Sequence, residues 1–312
     1  MTVVSVSAPT PRESRPPVTE AGLHLRRRRL WNGALWGGCG LALALVVIPV
    51  VWIVVGVVGR AASHWQWSVL TTTTQGTSGG LLNAIVGTLV IVVGVAVIGG
   101  AIGILGGIHL AEYTRADRGG FLRGASEVLS GVPSIILGYV GYLALVVGLG
   151  WGFSLGAAVV VLSILVVPYI TKTTEVAIRN VPTAYREGAE ALGMRSGYSL
   201  RKLVLRPALP GIATGMIVAL AIALGETAPL LYTAEWSNDL PTLHLTHSPV
   251  AYLTYPVYTF YNQPQASAQQ LAYAAALLLV VMVLVMIVAA RLIVARTQRH
   301  APERQNAGKG RT

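Results

Sequence analysis

One carboxylate in this sequence lies where carboxylates are rare. Glu226 falls inside the apolar run 211–234, and a carboxylate within a membrane span costs about 3 kcal/mol even on a lenient insertion scale. We therefore expect its side chain to face a cavity or a partner rather than lipid. A carboxylate can accept a hydrogen bond from a protonated oxyanion, whereas a fully ionised oxyanion has no proton to donate. The alternative is a structural role, in which Glu226 pairs with a cation of a neighbouring subunit.

Two prolines lie in apolar runs near candidate polar positions. Pro133 falls in the run 126–149, and Pro229 follows Glu226 by three residues. Proline lacks the backbone N–H and clashes with the preceding helical turn. Each proline therefore indicates either a helix break beside a polar pathway or a simple kink.

Other catalytic and metal-binding patterns are missing from the sequence. No Gly-rich loop ends in Gly-Lys-Ser/Thr, the pattern that cradles nucleotide phosphates, and the Gly308-Lys309 pair continues with Gly310. His244 and His247 are interpreted as solvated loop residues, because they lack metal-ligand spacing on a predicted helix. No Ser/His/Asp arrangement can be argued. We therefore expect the chain not to be an enzyme and to bind no metal or cofactor by itself.

Composition places the chain in the membrane class. Its 312 residues are 54% hydrophobic and 11% charged, whereas soluble domains average about 25% charged residues, and the mean hydropathy is +0.63. The formal charge of +11 is carried by short basic clusters between apolar runs. That distribution is typical of membrane topology, so nucleic-acid binding is not expected. The single cysteine, Cys39, excludes an intrachain disulfide.

Six apolar runs are long enough to cross a bilayer as helices. They cover residues 33–58, 81–111, 126–149, 153–171, 211–234 and 269–295. Six crossings place every Lys and Arg except Arg60 on one side of the membrane, and the positive-inside rule makes that side the cytoplasm. We predict an all-α integral membrane protein with six transmembrane helices. It is expected to be multi-pass in the bacterial cytoplasmic membrane, in contact with lipid, with both termini cytoplasmic.

The predicted organisation has four parts. Residues 1–30 form a disordered basic cytoplasmic tail, 31–80 hold the first transmembrane helix and an outer loop, 81–295 form a core of five transmembrane helices, and 296–312 form a second basic cytoplasmic tail. The core is expected to carry the functional residues.

The cytoplasmic loop 172–210 predicts two short helices. Gly193 allows a turn between them, Ser196 can cap the second helix, and Pro207 and Pro210 are expected to end it before the next span. A rigid helix pair of this kind can dock into a groove of a cytoplasmic partner. The pattern alone leaves a solvated basic loop equally open.

The residues of this loop resemble the EAA loop of ABC-importer permeases. The resemblance rests on Glu187-Gly188-Ala189, on Gly193 and on 209–211, whereas Leu205-Arg206 departs from the usual Leu-Pro. It implies the type I ABC-importer permease architecture and coupling helices that occupy a cleft of an ATP-hydrolysing subunit. The residues expected to couple to the ATPase are Glu187, Gly188, Ala189, Ala191 and Gly193.

Further segments resemble the PstA-type permease subunits of phosphate importers. They are residues 129–138, 224–231, 253–258 and 271–277, and the resemblance covers roughly 80–290. It implies a complex with a second, PstC-like permease, an ATP-binding cassette ATPase dimer and an extracytoplasmic phosphate-binding protein. ATP and Mg would be held by the ATPase partner and not by this chain.

The same resemblance suggests a translocation path formed by Ser130, Pro133, Ser134, Gly225, Glu226, Thr227 and Pro229. PstA-type subunits usually carry Arg four residues before the Glu, one helical turn away on the same face, but this sequence has Ile222 there. No Lys or Arg lies in the interior of any predicted span. Positive charge for an anion would therefore come from the companion permease or from backbone amides at a broken helix end.

Three other functions stay open at this point. An ABC importer for another oxyanion or small solute would share the same loop. A secondary transporter or channel driven by an ion gradient would require a relay of intramembrane acids or histidines, and this sequence offers mainly Glu226. A purely structural membrane subunit would leave the EAA-like loop unexplained.

Overall fold

The computed structural model describes residues 18–114 and 116–298, which are mainly helical. The chain divides into two compact units, residues 1–56 and 57–312. The described part of the first unit is helical and belongs to α1 (Val18–Ser63). α1 begins at Val18, within the segment 1–30 that is expected to form a basic tail. The expected tail segments 1–17 and 299–312 lie outside the described residues.

The second unit contains the remaining helices and one small antiparallel hairpin. Its helices are α2 (Ser68–Thr71), α3 (Leu82–Ile108), α4 (Ala116–Ser130), α5 (Ser134–Gly141), α6 (Leu155–Arg179), α7 (Ala184–Ala191), α8 (Ser196–Ser199), α9 (Leu205–Gly225), α10 (Ala228–Thr233) and α11 (Ala266–Gln298). The hairpin joins β1 (Thr74–Gln75) to β2 (Ser78–Gly79), with Thr74 opposite Gly79. Four π-helical turns occur at His109–Tyr113, Tyr142–Gly148, Leu200–Val204 and Pro256–Phe260.

Five helical segments of the described chain are long and apolar enough to cross a membrane. They are Trp31–Ser63, Leu82–Tyr113, Leu155–Arg179, Ser196–Gly225 and Ala266–Ala295. A sixth crossing exists if the bent pair Gly120–Ser130 and Ser134–Gly148 forms one span. The six apolar runs predicted from the sequence therefore correspond to five helical segments and one bent pair.

The centre of the second unit is the packing of α3 against α6. Small residues allow the close approach, because a Cβ atom at Gly103 would lie 2.6 Å from Cβ of Ile170 and one at Gly107 would lie 2.5 Å from Cβ of Thr174. A buried apolar cluster surrounds this contact and includes residues of α9 and α10 as well as Tyr252. The packed pair α3 and α6 thus supports the segments between α4 and α5 and between α9 and α10.

The helix after α7 does not end at the prolines of the cytoplasmic loop. The segment Ser196–Gly225 is helical throughout, with a π-helical turn at Leu200–Val204. Pro207 follows the π-helical turn by three residues, and the chain remains helical through it. The prediction that Pro207 and Pro210 end this helix is wrong, and Ser196 begins α8 without capping it through its side chain.

Candidate functional site

The third apolar run is broken rather than continuous. α4 and α5 are separated by residues 131–133, and the bend between the helical segments on either side is 92°. Pro133 adopts φ −56° and ψ 133° as the residue before α5. It has no N–H for a helical bond, and it disfavours the helical conformation of Val132. The apolar run 126–149 is therefore helical on both sides of a break, which was one of the two interpretations of Pro133, and Ser134 becomes the first residue of α5.

A second break separates α9 from α10. Glu226 follows the end of α9 with an extended backbone, φ −70° and ψ 136°, and Pro229 lies in the first turn of α10. The Thr254 hydroxyl donates to the Glu226 carbonyl oxygen at 2.9 Å. The Glu226 N–H donates to the Ala223 carbonyl oxygen at 3.3 Å. Hydrogen bonds to both its N–H and its carbonyl oxygen thus fix the backbone of Glu226.

The two breaks meet in the folded chain. The Ser134 side chain lies near the half-buried Glu226 carboxylate. α5 lies directly against α10, since a Cβ atom at Gly138 would be 2.6 Å from Cα of Pro229. The structure therefore brings together three residues expected in the translocation path, Ser134, Glu226 and Pro229, from segments almost a hundred residues apart in the sequence.

The other expected path residues are placed differently. Ser130 is exposed, and its hydroxyl donates to the Glu127 carbonyl oxygen at 2.8 Å. Pro133 and Gly225 are exposed, and Thr227 is partly buried. Thr254 was not predicted as a site residue. It lies in the segment 253–258 that carried the family resemblance, but no local pattern indicated that its hydroxyl would reach the second break.

The described residues contain no cation paired with Glu226. Their four ion pairs are Arg123–Glu175, Lys172–Glu127, Arg179–Glu175 and Arg186–Glu112. Ile222 is half-buried and packs against the apolar core cluster. Because α9 ends before Glu226, positions 222 and 226 do not share a continuous helix. The one-turn relationship expected between them is therefore not present.

The predicted coupling loop contains a short helix with a defined end. α7 closes with the Gly193 N–H donating to the Glu190 carbonyl oxygen at 2.9 Å and the Met194 N–H donating to that of Ala189 at 3.0 Å. This is the Schellman pattern. Gly193 has φ +66°, a left-handed conformation that glycine adopts at little cost. The turn expected at Gly193 is confirmed.

The residues expected to couple to an ATPase do not share one environment. Glu187, Gly188, Ala191 and Gly193 are exposed, whereas Ala189 is 2% exposed and lies on the inner face of α7. Ala189 is thus placed to hold the helix rather than to contact a partner. Arg186, which sequence reasoning missed, also points inward. Its partners lie in two other helical segments, and no local spacing could have identified them.

The match to a protein-family model covers residues 99–299 of the chain. That model describes the binding-protein-dependent transport system inner membrane component. The matched range extends from within α3 to the end of α11 and includes both breaks and α7. The chain belongs to this family.

Related members of this inner membrane component family are phosphate transport system permease proteins. PstA 2 of Mycobacterium bovis is 58% identical over 251 residues, which cover 80% of this chain and 83% of that protein. PstA of Yersinia pestis is 36% identical over 223 residues, which cover 70% of this chain and 73% of that protein. These alignments confirm the resemblance to PstA-type permeases.

Solved structures with the same fold are ABC importers. An inward-facing MetNI methionine transporter chain is 22% identical with a TM-score of 0.52, over 74% of this chain and 96% of its own length. A bacterial alginate transporter chain, solved with its periplasmic protein, is 16% identical with a TM-score of 0.56, over 88% and 97%. These similarities concern the fold alone. They confirm the expected all-α, type I ABC-importer permease architecture.

Membership in the inner membrane component family also confirms two broader expectations. The chain is a non-catalytic membrane subunit of a binding-protein-dependent transport system and not an enzyme. It is a multi-pass protein, consistent with its long apolar helices. Within the described ranges, no group of three or more His, Cys, Asp or Glu side chains could hold a metal ion.

Proposed function

We propose that this chain is the PstA-type permease subunit of an ATP-driven importer of inorganic phosphate. The observation that carries the assignment is its 58% identity, over four-fifths of its length, to a mycobacterial phosphate transport permease. The alternatives of a different oxyanion importer and an ion-gradient transporter lack a comparable observation. The described spans offer no relay of acids or histidines that would support the latter.

The contact between Ser134 and Glu226 supports a role in handling a protonated oxyanion. Glu226 can accept a hydrogen bond from a P–OH group, and Ser134 can both accept and donate. The first turn of α5 begins beside this carboxylate and presents backbone N–H groups without intrahelical partners. These amides supply partial positive charge at a position where the described residues place no cation. A companion permease would supply any full positive charge.

The basic residues support an orientation with both termini in the cytoplasm. If the bent pair α4–α5 crosses the membrane as one span, every Lys and Arg except Arg60 faces one side. α7 then lies on the cytoplasmic side. Its exposed residues Glu187, Gly188, Ala191 and Gly193 are available to a partner there.

The proposed assembly contains this chain, a PstC-like permease and two ATP-binding cassette subunits that hold ATP and Mg. An extracytoplasmic phosphate-binding protein delivers the solute. Affinity purification of this chain from the native membrane tests the assembly, because the ATPase and the second permease should copurify. Phosphate-loaded binding protein should then stimulate ATP hydrolysis by the purified complex, and sulfate-loaded protein of the same importer class should not. Equal stimulation by both would contradict the solute assignment.

A further inference from the structure

The C-terminal end of α3 is a π-helical turn, His109–Tyr113, that two arginines contact from different helices. Nη2 of Arg186 in α7 lies 2.5 Å from Oε1 of Glu112. Nη2 of Arg123 in α4 lies 3.5 Å from the carbonyl oxygen of Leu110. Single π-helical turns are rare and frequently occur at functional sites. This turn is therefore a junction between the predicted coupling helix and the helix that leads to the first break.

Arg186 joins three parts of the chain through one side chain. Besides Glu112, its guanidinium donates to the carbonyl oxygens of Val181 at 3.1 Å and Ile178 at 3.2 Å. Ile178 belongs to the last turn of α6, and both carbonyls belong to buried residues. The side chains of Arg186 and Glu112 are only 27% and 18% exposed. Charge-assisted bonds at this depth are stronger than surface ion pairs and fix the orientation of α7.

Arg123 holds α4 to the same region. Its Nε lies 2.7 Å from Oε1 of Glu175 in α6, and the Glu175 side chain is 9% exposed. Nη2 of Arg179 lies 3.0 Å from the same carboxylate oxygen. α4 leads through the break at residues 131–133 to α5, whose first residue is Ser134.

A buried apolar cluster lies beneath these ion pairs. It contains Ile178, Val181, Val204, Ala208 and Ile212, and Ile108 and Ala111 pack against it. The cluster joins the ends of α3 and α6 to the start of α9. Close-packed interiors transmit displacement rather than absorb it, so a shift of one of these helix ends displaces the others.

We propose that Arg186 and Glu112 are positioning residues that transmit movement of α7, through the π-helical turn, to α4 and the Ser134–Glu226 contact. The inference rests on the proposed function, because it takes α7 as the helix that an ATPase partner moves. The moving element is α4 together with the 92° break at residues 131–133. A coupling route of this kind requires demonstrated energetic linkage between its parts.

A double-mutant cycle in the reconstituted complex tests that linkage. Arg186→Ala and Glu112→Ala should each reduce the phosphate transported per ATP hydrolysed by roughly tenfold, the scale of interaction measured for residues in one ion-pair network. The double variant should be no worse than either single variant. Arg186→Lys keeps the charge and should recover part of the ratio. Independent, multiplicative losses in the double variant would overturn the inference.

The pair Lys172–Glu127 provides a matched control. It also joins α6 to α4, at 3.1 Å, but its side chains are 66% and 65% exposed. Exposed ion pairs contribute little. Lys172→Ala should therefore leave the transported phosphate per ATP within about twofold of wild type. If Lys172→Ala lowered the transported phosphate per ATP as much as Arg186→Ala does, loss of an exposed ion pair elsewhere would have the same effect. That result would contradict a specific role for the π-helical turn.

A distance measurement separates this inference from the solute assignment. Spin labels at Val128→Cys on α4 and Glu190→Cys on α7, both exposed positions, can be placed in a Cys39→Ser background, since the chain has one cysteine. ATP should change the distance between the labels in the complex, and Arg186→Ala should abolish that change. This readout requires no phosphate, so it can succeed even if the transported solute is another anion. An ATP-dependent change that persists in Arg186→Ala would overturn the inference.

Discussion

The Ser134 side chain lies near the Glu226 carboxylate, so the first residue of α5 meets the break between α9 and α10. Two helix breaks that are far apart in the sequence thus form one polar position in an otherwise apolar region. We expect this position to have the central role in solute handling.

Substitution at the contact should impair uptake without preventing membrane insertion. Hydrogen bonds to charged groups contribute about 1.5–3 kcal/mol, so Glu226→Gln should reduce phosphate uptake by about tenfold or more. Ser134→Ala should reduce it by a smaller factor, because the backbone amides of α5 remain. The matched control is Ser63→Ala, because Ser63 is exposed and its hydroxyl donates to the Arg60 carbonyl oxygen instead. Labelled uptake that is equally reduced by Ser63→Ala would count against a specific role for the contact.

Gly193→Val should abolish uptake while the protein still inserts. At φ +66° a β-branched residue is strained by about 1–3 kcal/mol, and the Schellman end of α7 would be lost. Gly197→Ala is the control, since Gly197 lies within α8 and no atom lies within 4 Å of an added Cβ. Uptake and copurified ATPase should both be measured. Normal values of both in Gly193→Val would show that the end of α7 is not needed for coupling.

Gly138→Val should destabilise the contact between α5 and α10. An added Cβ would lie 2.6 Å from Cα of Pro229, a backbone atom that cannot rotate away. Overpacking of this kind costs about 1–3 kcal/mol. Thermal unfolding of the detergent-purified protein should occur at lower temperature than in wild type. Gly124→Ala, where no atom lies within 4 Å of the added Cβ, should leave the unfolding temperature unchanged, and an equal shift in both variants would contradict the close packing.

A reporter fused after residue 312 should be active only in the cytoplasm. The prediction depends on the bent pair α4–α5 crossing the membrane, since five crossings would place the two termini on opposite sides. A second fusion at the N-terminus serves as the control and should give the same result. A periplasmic signal from the C-terminal fusion would contradict six crossings and would remove α7 from the side where an ATPase acts.

Much of the fold was predictable because hydrophobic length alone defines a membrane helix. The six apolar runs, the helical class and the turn at Gly193 follow from local composition and spacing. The 92° bend at residues 131–133 was only one of two interpretations of Pro133, since proline also occurs within α6 as Pro168 and within α9 as Pro210 without ending either helix. Whether a proline breaks a helix depends on the packing around it.

The site was less predictable than the fold. Glu226 was identified from its unusual place in an apolar run, but its partner Ser134 became evident only when α5 packed against α10. Arg186 and Glu112 gave no sequence signal, because their pairing joins two helical segments 74 residues apart and depends on how α3, α6 and α7 come together. The burial of Ala189 could not be predicted from the sequence either, because the pattern of loop residues does not define which face of α7 points inward.

The most direct test of the account is uptake of labelled phosphate by proteoliposomes that contain the complete complex. In these vesicles the interior corresponds to the cytoplasm. ATP inside them and phosphate-loaded binding protein outside them should drive phosphate into the vesicles in the wild type. Glu226→Gln should reduce that uptake by about tenfold or more, and excess sulfate should not compete. Wild-type uptake that does not require ATP, or that is unchanged in Glu226→Gln, would contradict the account.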